Sequence, residues 1–332
     1  IKGVGKGAVE TIIEYRKEQR YTSIFDLVKR IDLRAANKKA FENLVLAGGF
    51  DSFLNVNRSQ YLNPDGDGVT FLEKVLRFGA KYQENLNSSQ TSLFSEETTN
   101  TYQDLTIPTC EPWTNLTRLK KEKEVVGIYI SSHPLDDFTH EIDHFVNITL
   151  NQIGDLNDFL RKELNIGGIV NDIQHLESRN GKGWARFVLE DFTDQYEFRI
   201  FGEDYLKYRH FLVVNQFIRI RIMIREGWTN RETGKVGSPR MQYLQFEMLQ
   251  NTVENNAKKL TLQLEISQLE QDKIKQLEDD LRLFKGDNQL MFNVYDSNKK
   301  VKLVLKSKKQ KIKITSELLT LLDKNNWHYK LN

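Results

Sequence analysis

The sequence has few of the residues that cross-link or rigidify a chain: among its 332 residues are one cysteine, Cys110, and five prolines. One cysteine can form neither an internal disulfide nor a cysteine zinc site, which favours a reducing compartment and predicts a cytoplasmic protein. No apolar run approaches the roughly 20 residues of a membrane helix, so we expect no membrane contact. The sequence begins at Ile1 without a methionine or a secretory signal, and we expect it to be a piece of a longer protein.

The overall charge is nearly balanced, with 48 lysines and arginines, 46 aspartates and glutamates and a formal net charge of +2. The total therefore does not indicate a nucleic-acid-binding protein, and the local distribution is more informative. Residues 1–50 contain ten basic and six acidic residues, whereas residues 299–313 contain eight lysines and no acid. The surplus in residues 1–50 favours an anionic partner. The lysine run at 299–313 fits contact with DNA, but it fits equally well an edge strand whose lysines discourage aggregation.

The spacing of apolar residues predicts an α+β multidomain fold. Alternating runs between residues 166 and 249, with a short helical stretch near 203–212 after the third, predict a five-stranded OB-fold β-barrel. Helical spacing occurs over residues 6–20, 22–31, 37–47, 69–84 and 113–130. A small C-terminal α/β domain is predicted from a strand at 260–266, a helix at 267–283, strands at 289–295 and 300–306, and a helix at 315–324.

These patterns predict five segments in chain order. The polar composition between residues 84 and 111 indicates a linker between the first two folded parts. The segments are a helical region at 1–84, a flexible linker at 85–112, a helical connector at 113–160, the OB-fold domain at 161–252 and the C-terminal α/β domain at 253–332.

The opening segment, Ile1–Gly7, reads Ile-Lys-Gly-Val-Gly-Lys-Gly, the pattern of a helix-hairpin-helix motif. Glycines allow a tight hairpin and let the backbone approach a phosphate, and the N–H groups that begin the next helix hold the anion. Such contacts position DNA without reading its sequence. The alternative is an ordinary glycine-rich helix cap, and the glycine pair within 47–50 is either a degenerate second hairpin or a helix C-cap. The predicted DNA-binding residues are Lys2, Gly3, Gly5, Lys6 and Gly7.

Basic and aromatic residues occupy the outward positions of the predicted barrel strands and the loops that join strands one and two and strands four and five. OB folds bind single-stranded nucleic acid on such surfaces through aromatic stacking and cationic grooves. Exposed arginines on strands are also common as solubilising residues, so the prediction depends on their convergence. The predicted single-strand-binding residues are Arg179, Lys182, Trp184, Arg186, Arg199, Arg219, Arg221, Trp228 and Arg231.

The predicted linker contains the pentapeptide Gln-Thr-Ser-Leu-Phe at residues 90–94, which has the properties of a docking peptide. The Gln90 amide would fix the register, and the side chains of Leu93 and Phe94 would fill apolar pockets on a partner. The alternative is that Leu93 and Phe94 hold the linker against its own domain.

A match to the H-E-x-x-H zinc motif lies between His140 and His144. In that motif two histidines one helical turn apart bind the metal. The sequence shows no third ligand, so we predict an exposed helix with two surface histidines and no metal site.

Several motifs, taken in one order, resemble the bacterial DNA polymerase III alpha subunit family. They are Ile1–Gly7, Phe25–Leu27, Asn37–Lys39, Leu46–Asp51, Glu122–Tyr129, Ser132–Leu135, Phe187–Asp191, Arg199–Phe201 and Tyr205–Tyr208. The resemblance is to the C-terminal, non-catalytic portion of this replicative polymerase. It covers residues 1 to about 225 and continues more weakly to the end of the chain.

The resemblance implies that residues 1–84 form a helical tandem helix-hairpin-helix DNA-binding region. It also implies a DNA-binding and clamp-docking role in processive, template-directed DNA synthesis. It implies that Gln90, Leu93 and Phe94 form an internal sliding-clamp-binding motif, and that the C-terminal unit binds the tau subunit of the clamp loader. The parent enzyme would be a DNA-directed DNA polymerase, a nucleotidyltransferase that uses Mg²⁺, while this chain is expected to carry no catalytic residue and no cofactor. The expected partners are double- and single-stranded DNA, the sliding clamp and tau. A freestanding nucleic-acid-binding adaptor and an interaction scaffold, both without an enzymatic parent, are the alternatives.

Overall fold

The computed structural model describes residues 1–87, 105–228, 236–308 and 310–331, and the chain divides into two compact units, Ile1–Pro134 and Leu135–Asn332. The first unit is helical, as its apolar spacing predicts. Helix α5 continues to Asn87, three residues into the predicted linker. The helices are α1 Lys6–Glu18, α2 Ile24–Arg30, α3 Lys38–Leu46, α4 Arg58–Leu62, α5 Phe71–Asn87 and α6 Asn115–Val126. No described helix is both long and apolar enough to cross a membrane.

An aromatic core holds the first unit together. Phe25 meets the rings of Phe71 and Phe78 edge-on, with centroid separations of 6.1 and 5.6 Å. Gly79 lets α5 approach α2 closely, because a Cβ at this position would lie 2.7 Å from the Cβ of Val28. Each fully buried aromatic or aliphatic side chain stabilises the fold by roughly 1.5–3 kcal/mol. The core therefore fixes the helices that carry the predicted hairpin.

The second unit begins with helix α7, Thr139–Phe145, and continues into a five-stranded antiparallel sheet. A β-bulge between Val170 and Asp172 bends the long first strand. Helix α8, Gly202–Tyr208, follows the third strand, which confirms the predicted helix position. The strands are β1 Glu163–Glu177, β2 Gly183–Glu190, β3 Gln195–Phe201, β4 Phe217–Arg225 and β5 Arg240–Met248, in the order β3-β2-β1-β4-β5.

The predicted closure of this sheet into a barrel is wrong, because β3 and β5 are its two edges and do not pair within the described residues. Aromatic side chains join the edges instead. The Tyr243 hydroxyl donates a 2.9 Å hydrogen bond to the carbonyl of Arg199, and the Tyr208 hydroxyl donates one of 2.7 Å to the carbonyl of Leu244. Tyr208 also stacks on Phe246, with ring centroids 4.5 Å apart. Bulky side chains thus fill the space where a closing ladder was predicted.

The C-terminal part of the second unit is a four-stranded mixed sheet of strands β6 (Lys259–Glu265), β7 (Lys285–Asp296), β8 (Val301–Lys306) and β9 (His328–Leu331), in the order β8-β7-β6-β9. Strands β6 and β7 are parallel and are connected by helix α10 (Gln271–Leu283), which gives the α/β arrangement that the sequence predicts. Strand β9 was not predicted, and α10 begins at Gln271 rather than 267 because Ile266–Gln268 forms a short 3₁₀ turn. The elements are α9 Thr252–Asn256, β6 Lys259–Glu265, α10 Gln271–Leu283, β7 Lys285–Asp296, β8 Val301–Lys306, α11 Ser316–Lys324 and β9 His328–Leu331.

Candidate nucleic-acid interface

The glycine hairpin lies at the start of α1 and is held from two sides. Gly3 adopts φ +69°, and a Cβ there would lie 2.6 Å from the amide nitrogen of Asn43. That amide of Asn43 donates a 2.6 Å hydrogen bond to the carbonyl of Lys2, and the Lys2 N–H donates one of 2.7 Å to the carbonyl of Val125. The left-handed backbone and the close contact both require glycine at position 3.

Gly5 and Gly7 have a different role from Gly3. Gly5 is the N-cap of α1, and no side chain caps the helix there. A Cβ at Gly5 would meet nothing within 4 Å, and one at Gly7 would lie 4.0 Å from the Cβ of Ala35. These two glycines therefore leave the positive end of the helix dipole uncovered, an arrangement that favours anions.

Both predicted lysines of the hairpin are at the surface. The side chain of Lys6 is 88% exposed and lies 3.5 Å from Glu10, one turn along α1. Lys2 is also exposed. An exposed ion pair of this kind contributes little stability, so the Lys6 ammonium can exchange Glu10 for another anion at small cost.

The second glycine pair forms the C-terminus of α3. Gly48 has φ +81°, and its N–H and that of Gly49 bond to the carbonyls of Val45 and Leu44. A Cβ at Gly48 would lie 2.1 Å from the guanidinium of Arg58, which is only 8% exposed. The alternative of a helix C-cap therefore describes this glycine pair.

An unpredicted ion network surrounds the buried Arg58. Its guanidinium donates to both carboxylate oxygens of Asp51, at 2.6–3.1 Å, and to the carbonyl of Leu46 at 3.2 Å. Glu122, on α6, lies 3.6 Å away and has no exposed surface. This network ties α6 to the helices that follow the hairpin.

A row of large apolar side chains, two of them aromatic, crosses three strands on the outer face of the five-stranded sheet. Trp184 on β2 lies opposite Leu176 on β1 and opposite Phe201 on β3. The rings of Trp184 and Phe201 are stacked, with centroids 5.2 Å apart and planes inclined by 19°. Phe201 is 57% exposed, which is unusual for a phenylalanine on a sheet. Sequence reasoning identified Trp184 as a site residue and missed Phe201.

The next row on this face contains two of the predicted arginines, Arg186 and Arg199, which lie opposite each other on β2 and β3. Both bond to Glu197, with nitrogen–oxygen distances of 3.0 Å from Arg186 and 2.9 Å from Arg199. Arg186 also lies 3.7 Å from Asp172. Hydrogen bonding from Arg199 is the main reason that the pKa of Glu197 is lowered. The two arginines are therefore on the predicted face, and carboxylates balance their charge.

The other two predicted strand arginines are on β4, away from this row. Arg221 is partly exposed and bonds to Glu163 and to Gln245, at 2.8–3.0 Å. Arg219 is only 6% exposed, so its predicted position on an open surface is wrong. Its guanidinium donates to the carbonyl of Phe145, at the end of α7, and to Glu247 on β5, which also accepts a hydrogen bond from Asn256 in the segment after β5.

The two predicted loops flank the five-stranded sheet. Arg179 and Lys182 are exposed on the β1–β2 turn, which is closed by a 2.9 Å hydrogen bond from the Ser178 N–H to the Lys182 carbonyl. Trp228, at the base of the β4–β5 loop, is 78% exposed, and the guanidinium of Arg240 lies 4.4 Å from its ring centroid. Arg240 is a further residue that sequence reasoning missed. Arg231, Gln90, Leu93 and Phe94 lie outside the described residues.

The zinc-like motif on α7 packs against the C-terminal helix and strand. His140 is hydrogen-bonded to the Thr320 hydroxyl at 3.1 Å and lies 3.4 Å from the Tyr329 hydroxyl, so it is not the surface residue that was predicted. Burial lowers the pKa of His144 below its usual value. Within the described ranges, no three histidine, cysteine or carboxylate side chains come together in a way that could hold a metal.

Comparison with known proteins gives matches at both ends of the chain. Residues 1–61 match the family model of the helix-hairpin-helix motif, and residues 260–332 match that of the DNA polymerase III alpha subunit, C-terminal domain. The DNA polymerase III subunit alpha of Borreliella burgdorferi is 30% identical over 224 residues, which are 66% of this chain and 19% of that protein. The protein of the same name from Escherichia coli K12 is 28% identical over 214 residues, 64% of this chain and 18% of that protein.

Solved structures resemble the chain only distantly. The small single-stranded DNA-binding protein from Streptomyces coelicolor covers 26% of this chain and 94% of its own, with 11% identity and a TM-score of 0.16. A likeness of this size supports no conclusion about the fold.

The first unit is helical and has a glycine hairpin at the start of α1, and the second unit contains the two sheets. Together they define a multidomain α+β protein with a helix-hairpin-helix motif. The chain is similar to the C-terminal region of the DNA polymerase III alpha subunit, as the match of residues 260–332 and the curated relatives show. It spans about a fifth of the length of the curated relatives that it matches.

Proposed function

We propose that this chain is the DNA-binding and clamp-docking portion of a replicative DNA polymerase. One observation carries the proposal: in the sequence, a hairpin motif precedes, and a polymerase C-terminal domain follows, a sheet whose outer face carries a stacked pair of aromatic rings. Its relatives are named DNA polymerase III subunit alpha. The parent reaction would be Mg²⁺-dependent nucleotidyl transfer, catalysed by residues outside this chain.

The five-stranded sheet has the strand order and the helix after β3 of an OB fold, although its edges are joined by side chains. We assign single-strand binding to the face that contains Trp184 and Phe201, with Arg179 and Lys182 at its rim. Bases stack on exposed aromatic rings without regard to sequence, while nearby cations attract the phosphates. Trp228 with Arg240 provides a second exposed aromatic at the β4–β5 loop.

Replacing Trp184 and Phe201 together by alanine is expected to weaken binding of an oligothymidylate by about 10- to 100-fold. Stacking on an aromatic side chain contributes roughly 1–3 kcal/mol per base, which sets this range. Fluorescence anisotropy with a labelled oligonucleotide at fixed salt measures the change. Phe192→Ala, at a turn elsewhere on the same sheet and 45% exposed, is the matched control and should bind normally. Equal affinity of the double variant and the wild type would exclude this face.

The hairpin is proposed to hold the phosphates of duplex DNA. Replacing Lys2 and Lys6 by alanine should weaken duplex binding equally for all sequences and reduce the slope of log affinity against log salt by about one for each lysine. Lys17→Ala, in the last turn of the same helix, is the control. A loss confined to particular sequences would contradict phosphate contact.

Two protein partners complete the proposal. The pentapeptide at residues 90–94 would dock the sliding clamp, and the C-terminal unit would bind the tau subunit of the clamp loader. The motif has the required amide and two large apolar side chains in a polar segment.

An interaction scaffold is the second candidate function, because Glu197 and Asp172 balance the charge of Arg186 and Arg199 on the aromatic face. A face with balanced charge suits a protein partner better than a phosphate backbone. Binding of single-stranded DNA that is indifferent to salt and to Arg186→Ala would favour the scaffold over the polymerase proposal.

A further inference from the structure

Strand β8 is an edge strand whose whole length is exposed. Within the part of the chain that the structure describes, it pairs only with β7 and ends the sheet, and all six of its residues are exposed. The exposed fractions of its apolar side chains range from 44% for Leu305 to 59% for Val301. Proteins usually shorten, bulge, cover or charge such edges, because an apolar edge strand invites pairing with another chain. Lys302 and Lys306 charge one face of β8, and the apolar side chains of its other face remain exposed. The β7–β8 register has no bulge.

The backbone groups on the free side of β8 can be assigned from the ladder. The Ser307 N–H donates to the carbonyl of Leu290, so residue 307 belongs to a hydrogen-bonded pair of this antiparallel ladder. Hydrogen-bonded and non-hydrogen-bonded pairs alternate. The N–H and C=O groups of residues 301, 303 and 305 therefore point to β7, and those of residues 302, 304 and 306 point away from the sheet.

The two faces of β8 differ in chemistry. Leu303 and Leu305 lie opposite Val294 and Phe292, on the face of the sheet that carries its apolar core. Lys302 and Lys306 point to the other face, with the exposed Val304 between them. Among the described residues neither lysine has a carboxylate partner within ion-pair distance, and the run from 299 to 313 contains no acid. A strand placed beside β8 would therefore meet an apolar side and a cationic side.

We propose that β8 accepts an extended segment of a partner protein in which apolar and acidic residues alternate. The outward backbone groups of residues 302, 304 and 306 supply the hydrogen bonds of strand addition, and alternating side chains supply the specificity. Apolar residues of the segment would extend the face of Leu303 and Leu305, and its carboxylates would lie beside Lys302 and Lys306.

Charge selects this partner over a second copy of the chain. Antiparallel pairing of two β8 strands about Val304 would place Lys302 of each copy directly opposite Lys306 of the other. Like charges directly opposite each other destabilise a strand pair. A nucleic acid would satisfy the lysines and leave the apolar side of β8 in water.

The test uses the whole chain and a fluorescent peptide of about ten residues in which valine and glutamate alternate, a length typical of strands. A peptide with lysine in place of glutamate is the charge-reversed control. We expect the acidic peptide to bind at least about tenfold more tightly than the basic one in anisotropy titrations. Equal binding of the two peptides would overturn the proposal.

Two variants locate the binding to β8. Val304→Pro removes one outward N–H and leaves the ladder to β7 intact, and proline is tolerated at such edge positions. This substitution should weaken binding of the acidic peptide at least about tenfold, whereas Val304→Thr should leave the binding unchanged. Should Val304→Pro fail to fold, the double variant Lys302→Glu with Lys306→Glu should reverse the preference between the peptides, and Lys324→Glu with Lys330→Glu should leave it unchanged.

The remaining outcomes distinguish other occupants. Dimerisation of the chain without peptide, lost in Val304→Pro, would show self-pairing instead. A second outcome is that the chain binds oligothymidylate but not the peptide, and that the double variant Lys302→Glu with Lys306→Glu loses the oligothymidylate. This outcome would show a nucleic-acid site. Both results overturn the proposal. Because the site depends only on the C-terminal sheet, normal DNA binding by the β8 variants separates its failure from failure of the DNA-binding proposal.

Discussion

Glu247→Ala is expected to destabilise the five-stranded sheet by about 3–5 kcal/mol, the usual cost of removing one partner from a buried ion pair. Glu247 and Arg219 are buried, and their side chains are each 7% exposed. Arg219 would keep its bonds to the Phe145 carbonyl, at 3.1 Å, and to Asn165, at 2.8 Å, but would lose its counter-ion. Glu247 also accepts a 3.0 Å bond from Asn256, so the segment after β5 would lose an anchor too.

Hydrogen exchange of the β4 amides, which report opening of this sheet, measures the change in free energy. Glu226→Ala is the matched control, because Glu226 forms an exposed pair with Arg161, 53% and 79% exposed, and should cost less than about 1 kcal/mol. The double variant Arg219→Met with Glu247→Leu should be more stable than Glu247→Ala, since it leaves no unpaired charge. A loss below about 1 kcal/mol in Glu247→Ala would contradict the ion-pair account.

Replacing Leu93 and Phe94 by alanine is expected to abolish binding to the cognate sliding clamp. Burial of the two side chains would contribute on the order of 3–6 kcal/mol before ordering costs, so their loss should weaken affinity by more than about 100-fold. Isothermal titration calorimetry with the purified clamp measures it.

The pentapeptide contains its own control. Thr91→Ala with Ser92→Ala changes the two residues between the anchors and should alter clamp affinity by less than about threefold. Unchanged affinity in the Leu93 and Phe94 variant would discard the clamp assignment. DNA binding should be unaffected in both variants, which separates clamp docking from the DNA contacts.

Alternation along a strand correctly predicted which side of the sheet each β4 residue faces, but not what covers that side. Arg219 lies between the buried Ile218 and Ile220 and points away from their core, as predicted. The outer side of β4 is nonetheless occupied by the end of α7 and by the residues after β5, which are distant in sequence. No local pattern reports such a contact, so a buried arginine was predicted to be exposed.

Phe201 shows the opposite error. Since Phe198 and Ile200 are buried, alternation places Arg199 and Phe201 on the outer face. The signal that could have found Phe201 was therefore present, but a phenylalanine is usually assigned to a core. Its partnership with Trp184 depends on the β2–β3 register, which the sequence does not specify directly.

The three hairpin glycines were predicted as one motif, and the structure separates them. Only Gly3 combines a positive φ with a close neighbour, the Asn43 amide, which comes from a helix 40 residues further along the chain. Gly5 and Gly7 have ordinary backbone angles and free space. The composition of the loop thus predicted a hairpin, whereas the need for each glycine depended on tertiary contacts.

Helix α5 of the first unit ends at Asn87, shortly before the proposed clamp-docking pentapeptide in the sequence. In the sequence, Gln90 follows three residues after this helix end. A sliding clamp bound through Gln90, as we propose, would be attached to the first unit by very few residues after its last helical turn. Such a short connection would keep the clamp and the first unit close together as they move along the DNA template.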